Sequence, residues 1–334
     1  MDSAAIWAYI ENFSGSLARA LPETLYHYAD AQDALLALQR TELWASALPY
    51  LRDPTEPKRS LGVALHLVGQ RLGELELPQN WDEQTQMSLA RTASLRQTLF
   101  ETQLLKQVQR HLKAHLSTGR LSCVISLSAR ADSEWQWQRY CPDGGYALGF
   151  MGAQLDNLAS SQDFSLYPCY YGTWEEHDEI IQGAILGSMQ AWVPQVEKVY
   201  RDSNMGNARN RERAWHQAQR IITQEAENVS AVVLQVAALL RHDDFEDEAE
   251  WRLITDELTP DKVDYREARG MIAPFKRFDL RPGVDSALPL ERVIIGTQGE
   301  RELALHGLQG LLSKVQFAPQ QPVLLQTSTW DAAA

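Results

Sequence analysis

The chain has 334 residues, 44% of them hydrophobic and 22% charged, with a formal net charge of -13. That size and balance suit a globular protein with roughly two domains, or one domain carrying insertions. They argue against sequence-independent wrapping of nucleic acid, which needs a basic surface. No apolar run reaches membrane-spanning length. The N-terminus MDSAAIWAYIENF lacks the basic and apolar regions of a signal peptide. The expected compartment is the cytoplasm, with no membrane contact. Cys123, Cys141 and Cys169 have no metal-binding spacing and fit buried thiols in a reducing environment.

In chain order, Ile6, Ile10 and Phe13 predict a helix over residues 1–20, and Leu25–Tyr28 a short strand. Asp30 caps a helix carrying Ala34, Leu35 and Leu38, followed by a strand over Glu42–Ser46 and an ordered turn at Arg52-Asp53-Pro54. From about Arg59 to Ser117 the chain reads as helical. Its stripes are Leu61, Leu65, Val68 and then Leu104, Val108, Leu112, Leu116, with a break at Leu77–Asn80 and Gly119 as C-cap.

The stretch Leu121–Phe150 begins with period-two alternation. Cys123, Ile125 and Leu127 share one face; Ser122, Val124, Ser126 and Ser128 share the other. A polar turn, a Trp-rich segment (Trp135, Trp137, Tyr140) and a turn at Asp143–Gly145 lead to a strand over Tyr146–Phe150. The whole stretch predicts a hairpin-like unit in which the serine face lines a pocket. Next come a strand over Phe164–Tyr171 and a helix over Glu175–Tyr200 containing Pro194. A polar basic loop over Arg201–Arg213 and a helix over Ala214–Arg241 follow. The C-terminal third reads as strands at Glu250–Thr255, Met271–Leu280, Leu290–Ile295 and Val323–Thr329, with turns between them and a helix over Arg301–Leu312. Strands without regular βα alternation predict an α+β fold. The expected organisation is a single domain over 1–334, with a helical insertion at 59–118 and a helical segment at 175–241.

Two constellations could carry chemistry. Glu248 and Glu250 are two apart, so on a strand they share a face, where mutual repulsion raises one pKa. Such a pair can hold a hydroxyl with one member and accept a proton with the other. Arg252, two further on, falls on the same face and can pair with them. The second is Tyr26-His27-Tyr28, a strand histidine flanked by tyrosines. Walker, GxGxxG, HExxH, GxSxG and CxxC patterns are absent, so hydride transfer, P-loop chemistry and zinc hydrolysis have no support, and no metal is expected.

Taken together, LYHYAD, ELWAS with RDPTE, CVISLSARADSEWQWQRYCPDGGYALGF, EAEWRLI, GMIAPFKRFDL and LERVIIGTQG resemble a bacterial family, domain of unknown function 2971, from about Leu25 to Gly299. The order of a strand histidine, a Ser-x-Ser strand and a late Glu-x-Glu is also similar to the ADP-ribosyltransferase fold. That resemblance implies a split, mixed or antiparallel sheet and NAD as substrate. It implies His27 holding the ribose with Tyr28 beside it, Ser126 and Ser128 shaping the pocket, and Trp137 or Tyr140 stacking on nicotinamide. Glu250 becomes the catalytic carboxylate, with Glu248 near the acceptor and Arg252 adjacent. The implied activity is transfer of ADP-ribose to a protein or nucleic-acid acceptor, or NAD hydrolysis, as in a bacterial toxin or phage-defence effector. Two alternatives stay open. One is a nucleotide- or ligand-sensing module without turnover. The other is a metal-dependent nucleic-acid enzyme using the carboxylates with Arg209, Arg211 and Arg213. The helical stripes fit docking within one chain and a dimer face equally, so the oligomeric state stays open.

Overall fold

The computed structural model describes residues 20–51, 55–75, 82–117, 121–203, 208–283, 288–296, 300–314 and 322–330. The expected helix over 1–20 (apart from its last residue), the Arg52-Asp53-Pro54 turn, the Leu77–Asn80 break and Gly119 lie outside the described residues. In chain order the elements are β1 (Thr24–Ala29), α1 (Ala31–Arg40), β2 (Glu42–Ala47), α2 (Thr55–Glu74), α3 (Glu83–Leu89), α4 (Ala93–Ser117), β3 (Cys123–Ser128) and α5 (Glu134–Tyr140). They continue as β4 (Tyr146–Met151), α6 (Gly152–Ser160), β5 (Phe164–Pro168), β6 (Tyr170–Gly172), α7 (Trp174–Ser203), α8 (Ala208–Ala237) and β7 (Leu240–His242). Last come β8 (Glu250–Thr255), β9 (Asp264–Ala268), β10 (Met271–Asp279), β11 (Leu290–Ile295), α9 (Arg301–Lys314) and β12 (Leu324–Thr327). The fold is α+β with a mixed sheet.

Two compact units emerge. The helical stretches expected as an insertion and an internal segment group together, as Pro54–Arg120 with Thr173–Leu240. The apolar stripes build this unit's core: Leu61, Val68, Leu104, Val108, Leu112, Ile222, Ala226, Val229, Val233 and Val236 are all buried. Phe100 anchors it edge-on to Tyr200 and near Trp215, with ring centroids 5.5 and 6.4 Å apart. The loop expected over Arg201–Arg213 is largely helical: α7 runs to Ser203 and α8 starts at Ala208, with residues 204–207 outside the description. Arg and Glu are strong helix formers, so NRER continues the helix N-terminal to the stripe that starts at buried Ala214, Trp215 and Ala218. At its other end α8 stops at Ala237, short of the expected Arg241, because Leu240–His242 turns into β7.

The second unit, Ala18–Asp53 with Leu121–Gly172 and Arg241–Ala334, carries a ten-stranded sheet. Asp30 caps α1 as expected, its carboxylate accepting from the Asp33 N–H at 2.8 Å. The expected β3–β4 hairpin does not form. β1 lies between the two strands, pairing antiparallel with β4 over its whole length, from Thr24 opposite Met151 to Ala29 opposite Tyr146. The connection from β3 to β4 holds helix α5, which buries Gln136 and Trp137 and ends at buried Cys141, so no tight turn joins the strands.

The sheet forks at β3. One edge of β3 pairs continuously with β8, from Val124 opposite Ile254 to Ser128 opposite Glu250. The other edge meets β2 only at Cys123 and Val124, and β1 only at Ser128. β1 continues outward through β4, β11 and the parallel strand β12, while β2 continues through β10 and β9. Ile125, Ser126 and Leu127 therefore face the gap between two diverging arms. The face expected to be apolar is so: Cys123, Ile125 and Leu127 sit in the main core cluster with Phe150, Leu253 and Phe278.

Candidate functional site in the forked sheet

His27, on the β1 arm, turns its ring into the fork and bonds the backbone of β3. Its Nδ1 lies 3.1 Å from the Ser126 carbonyl oxygen. A carbonyl only accepts, so Nδ1 carries the proton and Nε2 keeps a free lone pair in the neutral ring. Burial lowers the pKa of His27 against the opposing pull of the Ser126 carbonyl and Asp33, which keeps the ring neutral at pH 7.

Opposite stands Glu250, the first residue of β8. Arg252 grips it with both oxygens, Nε to Oε1 and Nη2 to Oε2 each at 2.9 Å. Arg241 Nε lies 3.2 Å from Oε2, and the Ser126 side chain hydrogen-bonds the same carboxylate. Burial alone raises a carboxylate pKa, but here Arg252 and Arg241 outweigh it and pull Glu250 down to about 2. Its backbone is fixed as well: the Glu250 N–H donates to Tyr171 Oη at 2.6 Å, and its carbonyl accepts from the Cys169 N–H at 2.9 Å.

Glu248 is reached by a different route from the one its spacing predicts. It does not share a strand face with Glu250. It closes a 3-10 turn, Asp243–Glu248, and Ala249 follows in the left-handed region at φ 43°. A non-glycine residue there costs about 1–2 kcal/mol, so surrounding contacts must hold it. The Glu248 carbonyl accepts from Ser128 Oγ at 2.7 Å and from Gln136 Nε2 at 3.0 Å. Its carboxylate meets Arg241 Nη2 at 2.5 Å, Trp135 Nε1 at 3.4 Å and Arg139 Nε at 3.5 Å. Burial raises its pKa, partly offset by Arg241. Arg252, expected to share the face of Glu250, does so.

A cavity of about 90 Å³ is lined by His27, Tyr28, Ser126, Ser128, Tyr140, Glu248 and Glu250, together with Tyr26, Leu127 and Gln136. Seven of the nine residues singled out from sequence thus meet at one place. The other two do not line it. Trp137 is fully buried, edge-on to Tyr28 at 4.8 Å, with Nε1 on Asp132 at 2.6 Å. A Cβ on Gly296 would come within 2.8 Å of the indole. Trp137 therefore offers no accessible ring face for stacking, while Tyr140 lines the cavity. Arg252 is spent on Glu250. Among the lining residues, Tyr28 and Ser128 are already engaged. Tyr28 Oη bonds the Arg130 carbonyl and the Ser133 N–H, each at 3.0 Å. Ser128 Oγ also accepts from the Arg130 N–H at 3.1 Å. Their part is to hold the wall.

His27 and Ser126 also border a second cavity, of about 150 Å³, with Asp33, Glu42, Trp44, Ser46 and Arg266. Arg266 donates to Ser46 Oγ at 2.8 Å and lies 5.4 Å from the Trp44 ring centre.

Sequence reading missed Arg139, Arg241, Gln136 and Tyr171. The one local signal for Arg241 is a charged residue at the end of the apolar run VVLQVAALL, where burial is expected. Among the described residues one trio, His242, Asp243 and Asp244, could offer atoms to a metal ion; both aspartates are exposed.

Residues 136–253 match the family model described as a protein of unknown function (DUF2971). The match runs from α5 into β8. It takes in Tyr140, Arg241, Glu248, Glu250 and Arg252, the carboxylate side of the cavity, and leaves out His27 and Ser126. No curated protein and no solved structure matches the chain. Among the described residues no helix is long and apolar enough to cross a membrane.

Proposed function

We propose that the cavity in the fork binds NAD and that the protein cleaves the bond between nicotinamide and ribose, passing ADP-ribose to a macromolecule or to water. The observation that carries this reading is the convergence of His27, Ser126 and Glu250, from three distant parts of the chain, on one cavity. As nicotinamide leaves with the bonding electrons, positive charge develops on the ribose, and a fixed negative charge lowers that barrier. Glu250 has the properties this step needs. It is ionised, rigid and a poor base, so it acts through its charge and by accepting a ribose hydroxyl. Neutral His27 offers Nε2 to another ribose hydroxyl, and the Tyr140 ring is the surface for nicotinamide. Glu248, with its raised pKa, is the carboxylate suited to take a proton from the acceptor.

Nicotinamide release by the purified protein tests this, with calorimetric NAD binding alongside and melting curves to confirm folding. The wild type should release nicotinamide. Glu250→Gln should lower the rate by about 10²-fold or more, and His27→Ala should weaken both binding and release. No NAD binding by the wild type, or release unchanged in both folded variants, would sink the reading.

One observation favours a second reading, a sensor that binds a nucleotide without turnover. Each carboxylate of the cavity already faces guanidinium groups, which blunts the field a developing cation would feel. NAD binding without nicotinamide release, tolerant of Glu250→Gln, would select it.

A further inference from the structure

The arginines on the β8 side of the fork are tied to carboxylates. Arg266, on β9, is not. Among the described residues it has no carboxylate at ion-pairing distance, and its Nε is buried without a hydrogen-bond partner. The carboxylates around it are engaged elsewhere or lie in water. Glu42 accepts from Trp44 Nε1 at 2.8 Å and lies 3.7 Å from Arg40. Asp264, two residues away on the same face of β9, pairs with Arg277 at 2.9 Å. Asp33 is exposed at the rim of the second cavity, where water screens it. A buried donor without an acceptor is costly, so Arg266 calls for an acceptor from outside the chain. Its guanidinium is already held in place. It lies 5.4 and 5.8 Å from the ring centres of Trp44 and Phe275, which pack on each other at 4.6 Å.

We propose that the second cavity binds a phosphate group, seated on Arg266. The space is there: about 150 Å³, several times the ~30 Å³ share of one water. Donors come from three strands. Arg266 supplies its guanidinium, whose fork suits phosphate oxygens. Ser46 Oγ accepts from Arg266 and so turns its own O–H to the ligand. The Ser126 carbonyl bonds His27 in the gap, and a strand residue points its N–H and C=O to the same side, so the Ser126 N–H faces the gap as well. Such a set suits a tetrahedral anion better than a planar carboxylate, which one guanidinium satisfies alone. Because His27 and Ser126 border both cavities, the phosphate can belong to a nucleotide that reaches across into the fork or can be a free anion. Phosphate binding here does not depend on NAD cleavage, and failure of nicotinamide release would leave it standing.

Calorimetric titration of the full chain with inorganic pyrophosphate and with ADP, at constant ionic strength, tests the proposal on wild type, Arg266→Gln and Arg266→Lys, with melting curves to confirm folding. Wild type should bind both ligands saturably. Arg266→Gln, which removes the charge, should bind each at least tenfold more weakly. Arg266→Lys keeps the charge and loses the Nε–H, so its affinity should fall between the two. Equal binding of pyrophosphate and ADP would identify the free anion as sufficient; ADP binding at least tenfold more tightly would identify a nucleotide as the source of the phosphate. No saturable binding of either ligand by wild type, or affinity unchanged in folded Arg266→Gln, would overturn the proposal. Should Arg266→Gln fail to fold, Arg266→Lys decides, and unchanged affinity there would overturn it equally.

Discussion

The two edges of β3 are built to opposite specifications. Along the β8 edge every residue from Val124 to Ser128 has a partner, and the strand opposite delivers Glu250 and Arg252 as a locked pair. Along the other edge the pairing passes from β2 to β1 and leaves Ile125–Leu127 open, with His27 bonded where a strand would otherwise lie. The contrast teaches how a sheet makes a cleft without losing its core. The paired edge fixes charge in place, the open edge makes room, and one strand serves both because its apolar face is buried throughout.

Breaking the paired edge should cost most. Arg252→Ala leaves Glu250 buried beside only Arg241, and loss of one partner of a buried ion pair costs about 3–5 kcal/mol; a urea titration should show it as a lower midpoint at unchanged slope. Acid should act on the same edge. Glu250 has a folded pKa of about 2, below its ordinary 4.5, so its stabilisation is present above about pH 4.5 and is lost as pH falls toward 2. Glu248, with its pKa raised, works in the opposite sense and is relieved by protonation. Stability measured from pH 6 to 3 should therefore fall less steeply in Glu250→Gln than in wild type. Ser128, where the edges meet, holds the Glu248 carbonyl and the Arg130 N–H, so Ser128→Ala should cost about 1–3 kcal/mol, read as a lower melting temperature. The smallest effect belongs to the open edge. Asp30→Ala uncaps α1, which joins the two arms of the fork, and should cost about 1 kcal/mol while leaving the acid profile unchanged.

How much of this was legible depends on range. Local signals served well: the Asp30 cap, the alternation that buries Cys123, Ile125 and Leu127, and the apolar stripe of α8 all follow from near neighbours in sequence. The insertion of β1 between β3 and β4 did not, because strand order is decided by pairings across more than a hundred residues and nothing in Leu121–Phe150 encodes them. Within that stretch, Trp137 and Cys141 at helical spacing after Ser133 do mark α5, and reading them as one face of a helix would have argued against the hairpin. Glu248 and Glu250 were expected together for a strand reason and meet for another: a left-handed Ala249 ends the turn and leads into β8, a conformation no propensity predicts for alanine. Arg241 belongs to a strand that sequence reads as the end of a helix, so its grip on both carboxylates depends on tertiary placement alone.

The most direct measurement is a crystal structure of the protein with a non-cleavable NAD analogue. The ribose should lie between His27 and Glu250, with nicotinamide against Tyr140, in the gap opposite Ser126. Analogue bound elsewhere on the chain, with the His27–Ser126 contact and the Glu250 clamp facing an empty fork, would contradict it.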